Sequence, residues 1–381
     1  MCAKKESALG SSLFSLSHSH SFPGHEGARR HARAGCARPG LRHMASSPPH
    51  LSPKLTPHPP AAPRRVSPRR LGNNLPPAAA SPSPPSTPPP PPRHVFLLDL
   101  DGVLVDSATE LAGSAYACAV ARWPDVMVRA GGFTKAEIMA GLAGGRPRVI
   151  AGFEALAQAR LMAELGPDAG VAAVLEDWPG KTLEAALERW GESPATLAPV
   201  FEAHRVRAAA DEASWIRANA AYPGIVAALA EVCGPWFVVS SKSAARVSLL
   251  MRGLLGQASG FEVGGPRLRA GLQPPDTAKP AAIADLAASV WGGLEEGEGG
   301  DGAAAARPTT IHFVDDRYET LAAVAASPVL GNAVQAGRLR LHHASWGYAT
   351  PEERSAAAAD AAVTCLDLET FIELITGGSG E

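Results

Sequence analysis

Beyond residue 93 the chain alternates short apolar runs with longer runs rich in Ala, Leu, Glu and Arg, and this alternation restricts the fold more than any other feature. The apolar runs fall at 95–98, in "WFVVSS" (236–241), in "IHFVDD" (311–316), in "RLRLHHASW" (338–346) and in "AAVTCL" (361–366). A strand with one wet face alternates apolar with polar residues. One that is apolar throughout is buried on both faces, as in a parallel sheet covered by helices. Segments such as "AARVSLLMRGLL", "AAIADLAASVW" and "RYETLAAVAA" separate the runs, which predicts an α/β fold built on a doubly wound parallel sheet. The helical stretch after the first strand, 108–233, is too long for a crossover and reads as an inserted α-helical cap domain. The core then comprises 94–107 and 234–381. Within it, 292–308 ("GGLEEGEGGDGAAAARP") reads as a flexible acidic loop.

Residues 1–93 have a different character. They hold 20 of the 35 prolines and 13 Lys or Arg, with Glu6 and Glu26 as the only acids. Such a segment buries too little apolar surface to offset its ordering entropy, so disorder is expected, with a polyproline-rich spacer at 81–92. A basic, Ser-rich, acid-poor start resembles an organelle transit peptide. "MASS" at Met44 resembles a plastid presequence start, which makes Met44 an alternative initiator. Chloroplast import is expected ahead of mitochondrion or cytoplasm. The bland alternative is a low-complexity tail from GC-rich coding. From His94 onward 22 basic face 35 acidic residues, a formal charge near −13. An acidic body argues against a nucleic acid partner. No apolar run nears the ~18 residues of a membrane helix. The five cysteines are scattered and read as free thiols or small buried hydrophobes.

Three apolar strands end in polar residues: Asp99 and Asp101, Ser240 and Ser241, Asp315 and Asp316. Ligands of open parallel sheets bind at these carboxyl ends. Taken alone, Asp99 to Gly102 also reads as a strand entering an Asp-Gly turn. Lys279, opening a helix before the third strand, adds a cation. Four carboxylates repel without a metal, and their oxygens suit Mg²⁺, which commonly binds substrate phosphate. A hydroxyl, an ammonium and Mg²⁺ together neutralise a phosphoryl group, toward which one Asp can act as nucleophile and another as acid and base.

In their order, "DLDGVLVDS", "VVSSK", "AKP" and "FVDD" resemble the four motifs of the haloacid dehalogenase superfamily, in its helical-cap branch of phosphoglycolate phosphatase-like and β-phosphoglucomutase-like members. The cap also resembles a plant, algal and cyanobacterial group. The resemblance implies Asp99 as nucleophile, Asp101 as acid/base, Ser240 as phosphate-binding hydroxyl and Lys279 as the motif-three lysine. It further implies a Mg²⁺ site of Asp99, Asp316 and the Asp101 carbonyl, with Asp315 acting through water. Asp101 points to a phosphate ester rather than a carbon–halogen bond. Val103, Ser240 and Arg317 depart from the commonest residues at their motif positions, and Arg317 leaves the substrate open.

In the cap, Arg146 and Arg148 are candidate anion clamps for the substrate, against a reading in which they lie on a solvated helix face. "WGY" (346–348) reads mainly as core packing and loop shaping, and the histidines at 312, 342 and 343 as packed strand residues. The expected function is Mg²⁺-dependent hydrolysis of a small phosphorylated metabolite through an aspartyl phosphate. The alternatives are a phosphomutase using the same residues and a catalytically silent scaffold. Oligomeric state is left open.

Overall fold

The computed structural model describes residues 93–129, 132–295 and 309–377. The expected tail lies outside these residues, except Arg93. So does most of the expected 292–308 loop, whose first residues instead continue the helix Pro275–Glu295.

The described strands are β1 (His94–Leu98), β2 (Val105–Asp106), β3 (Ala220–Ala221), β4 (Trp236–Ser240), β5 (Leu268–Ala270), β6 (Thr310–Asp315), β7 (Leu339–Ala344) and β8 (Val363–Leu366). Six form one sheet in the order β5-β4-β1-β6-β7-β8, with every neighbouring pair parallel. The expected doubly wound parallel sheet is therefore present. β5 went unforeseen because three residues between glycines and prolines carry too little periodicity.

Both faces of the sheet are covered, as the unbroken apolar runs require. Phe96, Leu98, Val238 and Val314 pack on one side with Phe371 and Ile375 of the last helix, Leu368–Thr376. Val95, Leu97, Val239 and Phe313 pack on the other with Ile283, Leu286 and Leu321. On the first side His312 bridges His94 and His342 by ring-nitrogen contacts of 3.1 Å each. Burial pushes His312 down to about 3 and His342 to about 4.

The insertion between β1 and β4 is helical, running from Ala108–Arg122 to Pro194–Ala209; the helix Glu212–Arg217 that follows buries Trp215 in the sheet-side core. The insertion has its own apolar centre, in which Leu156, Met162, Val174, Leu197 and Phe201 meet. It ends before the expected residue 233. The helix Ile225–Ala230 buries Ile225, Ala228 and Leu229 in the sheet-side core, so it belongs to the core. The short antiparallel pair β2 and β3 joins the two bodies.

Candidate active site

The sheet order sets β1 between β4 and β6, so the carboxyl ends of the three polar-tipped strands are adjacent. Asp99 follows β1 and its N–H donates to Val314 O of β6 at 3.0 Å. Lys279, near the start of the helix Pro275–Glu295, places Nζ 2.7 Å from Asp99 Oδ2 and 2.6 Å from Asp315 Oδ2. Burial alone would lower this ammonium, but Asp315 and Asp99 hold it well above its ordinary value. The other Asp315 oxygen accepts the N–H of Arg317 at 2.9 Å, so both of its oxygens have protein donors. Asp316 Oδ2 accepts the N–H of Tyr348 at 2.7 Å.

Asp99, Asp315 and Asp316 present oxygens that lie within 4.8 Å of one another, and all three residues are buried. One ammonium cannot balance three carboxylates. Burial, with Asp315 and Asp99 beside it, pushes Asp316 up to about 7. Burial likewise pushes Asp99 up to about 6 against the pull of Lys279. An all-carboxylate donor set with unbalanced negative charge fits a hard divalent cation, and Mg²⁺ in particular. Two glycines make room for Asp316. Gly102 has φ +85°, and a Cβ there would collide with Asp316 Oδ2; a Cβ on Gly347 would strike Asp316 Cβ.

Asp101 stands apart from this cluster. Its Oδ1 lies 3.2 Å from Lys242 Nζ. Burial would raise Asp101, but Lys242, Arg146 and a hydrogen bond with Ser107 bring it below its ordinary value. Lys242 follows β4 by two residues, and the backbone turns there as its N–H donates to Ser240 Oγ at 3.2 Å. Ser240 is fully buried; at this strand tip Ser241 and Lys242 line the adjoining cavities, and Ser240 does not. The expected emphasis on Ser240 thus shifts along the chain, because the backbone leaves the sheet at Ser240 and turns Ser241 and Lys242 toward the cleft.

Asp99, Lys279, Asp316 and Arg317 meet the cap across a small cavity of about 40 Å³ closed by Arg146, Val149 and Ile150. Glu154 Oε2 accepts the Ile150 N–H at 2.8 Å and so pins that cap loop. The Arg146 guanidinium stacks 4.1 Å above the ring of Tyr348. Arg146 is therefore a lining residue of this cavity. Arg148 is not: its Nη2 donates to Leu175 O at 3.2 Å within the cap, and it lines neither cavity. In a short 3₁₀ turn, two residues apart point to different sides.

Tyr348, read from the sequence as packing, joins three parts of the site. Its hydroxyl accepts the Ser107 N–H at 2.6 Å and donates to Asp106 Oδ1 at 2.6 Å, where the chain enters the cap. Its backbone holds Asp316 and its ring carries Arg146. No local pattern marks this role, because the partners come from three separate stretches of chain.

No family model and no curated protein matches the sequence. Among solved structures, the chain is similar to a haloacid dehalogenase-like family hydrolase of Streptococcus pneumoniae, at 12% identity and TM-score 0.38, over 74% of this chain and 97% of that one. It is similar to a predicted phosphoglycolate phosphatase of Haemophilus somnus at 15% identity and TM-score 0.40, over 75% and 97% of the two chains. It is also similar to a predicted phosphatase of Clostridium acetobutylicum at 14% identity and TM-score 0.37, over 75% and 99%. The fold itself stands on the chain's own strand order and inserted helical body.

Proposed function

We propose that this chain is a Mg²⁺-dependent phosphomonoesterase that passes the phosphoryl group through Asp99. One observation carries the reading: a single buried lysine is clasped by Asp99 and Asp315 beside the carboxylate of Asp316. That arrangement is unfavourable unless a cation and a phosphate complete it.

Asp99 and Asp316 would hold the Mg²⁺, with Asp315 fixed behind them by Lys279 and the Arg317 N–H. When bound, the ion neutralises charge on the phosphoryl oxygens and keeps Asp99 and Asp316 ionised. The Asp99 carboxylate oxygen attacks phosphorus and the ester P–O bond breaks; Asp101, ionised in the free site beside Lys242, must take up a proton in the substrate complex and gives it to the departing alkoxide. Water then attacks the aspartyl phosphate and gives its proton to Asp101, which regenerates Asp99 and releases phosphate. Lys279, through its ammonium, offsets charge on Asp99 and the phosphoryl group. Arg146 and the pinned 149–151 loop close the cap side and exclude water from the first step.

The substrate is a small phosphorylated metabolite. Import into a plastid is proposed on the composition of residues 1–93 alone.

The test is phosphate release from 4-nitrophenyl phosphate and a metabolite panel, with Mg²⁺ or with EDTA, for the native chain and Asp99→Asn. Activity that needs Mg²⁺ and falls by about 10³ or more in the variant is expected, since a covalent nucleophile is worth several kcal/mol. Equal, near-zero rates for both proteins across the panel would sink the proposal.

A further inference from the structure

Beside Asp101 the cleft between cap and core widens into a cavity of about 460 Å³. Four cations line it, Arg146 and Arg205 from the cap and Lys242 and Arg246 from the core. So do the apolar Leu111, Val149, Ile150, Phe153 and Phe201, and the neutral polar Ser107, Ser241, Ser243 and Gln273.

The charge of the four cations does not cancel. Arg205 is held by Glu110 in a buried pair, and Lys242 by Asp101. Arg246 grips Glu202 with both terminal nitrogens, at 2.7 and 2.9 Å. Arg146 makes no ion pair among the described residues; it stacks on Tyr348, and its Nη1 reaches only Val149 O at 3.4 Å. The Nε atoms of Arg146 and Arg246 are buried with no acceptor. Buried guanidinium N–H groups left unmet are costly. The pair most easily exchanged is Arg246–Glu202, because the Arg246 side chain is 8% exposed while that of Glu202 is 51% exposed and can turn to water. Against the five apolar side chains a hydroxyl finds no partner, whereas a hydrocarbon face loses nothing.

We infer that this cavity receives the alcohol portion of the ester, and that this portion carries a second oxyanion, carboxylate or phosphate, on an apolar body. The planar forks of Arg146 and Arg246 suit either oxyanion. This inference rests on the phosphatase reading above.

The test compares three aryl phosphates that differ only at the para position: 4-carboxyphenyl phosphate, 4-(phosphonomethyl)phenyl phosphate and the neutral 4-carbamoylphenyl phosphate. At least one anionic ester should exceed the carbamoyl ester in kcat/KM by about tenfold, the worth of a charge-assisted contact. Whichever of the two is preferred identifies the oxyanion. In Arg246→Met the ratio should fall toward one, and in Arg246→Lys part of it should survive; circular dichroism verifies that both variants fold. A native ratio near one, or a ratio unchanged in folded Arg246→Met, overturns the inference. If none of the three esters is hydrolysed, no ratio is read, and the phosphatase reading stands or falls on the metabolite panel. The cavity is then tested by calorimetric binding of 4-hydroxybenzoate against 4-hydroxybenzamide. Tighter binding of the carboxylate upholds the anion site, and equal affinities reject it.

Discussion

Lys279 Nζ lies 2.6 Å from Asp315 Oδ2, and the two side chains are 1% and 0% exposed. The lysine is therefore the counter-charge on which the buried acids depend in the absence of metal. Lys279→Met should destabilise the chain by about 3–5 kcal/mol, because it leaves carboxylates buried and unpaired. Urea unfolding in EDTA measures this, and Mg²⁺ should restore part of the loss. A variant as stable as the native chain in EDTA would show that the acids are held in some other way.

The pH dependence arises from the same cluster. Asp99 and Asp316 are raised to about 6 and about 7 from an ordinary value of 3.8. Between about 4 and about 7 the folded state then holds more protons than the unfolded, so metal-free stability falls as pH rises through that window. His312 and His342, lowered from 6.5 to about 3 and about 4, act oppositely: their contribution is full above 6.5 and is lost as pH falls. Mg²⁺ binds the ionised carboxylates and leaves the histidines as they are. The rise in unfolding temperature on adding saturating Mg²⁺ should therefore widen from pH 5 to pH 8. A difference that stays flat over this range counts against Asp99 and Asp316 as the metal ligands.

Gly102→Ala places a methyl group where Asp316 Oδ2 now lies, at a residue with φ +85°. The carboxylate must move, and Mg²⁺ affinity should weaken by about tenfold or more. The strained backbone should cost about 1 kcal/mol in addition. Calorimetric titration of Mg²⁺ reads the first effect and denaturant unfolding the second. Native metal affinity in this variant would remove Asp316 from the site.

Tyr348→Phe deletes the hydroxyl between Ser107 and Asp106 yet keeps the ring under Arg146 and the N–H to Asp316. The expected cost is about 1–3 kcal/mol, since the Ser107 N–H loses its acceptor and Asp106 Oδ1 keeps only the Ala108 N–H. Amide exchange at Ser107 should quicken while Mg²⁺ affinity is retained. Unchanged exchange there would mean that the hydroxyl does not brace the entry to the cap.

The sheet was legible in the chain because strands buried on both faces must be apolar throughout, and Phe96, Val238 and Phe313 sit in such runs. The acids were legible too, since Asp99, Asp315 and Asp316 terminate those runs and a parallel sheet gathers its carboxyl ends. Lys279 was legible as a cation opening the helix before the third apolar run, and a motif of known order supplied its role. Less was readable at the cap. Nothing local separates Arg146 from Arg148, yet a single 3₁₀ turn sends one onto Tyr348 and the other to Leu175 O. The pairs Arg205–Glu110 and Arg246–Glu202 span 95 and 44 residues, and Tyr348 reaches back 242 residues to Asp106. Hydrophobic periodicity and strand tips are local properties, so the sequence by itself determined the layered core and its ring of carboxylates. Which polar side chains face one another across the cleft depends on how two separately packed bodies meet, and only the tertiary structure decided that.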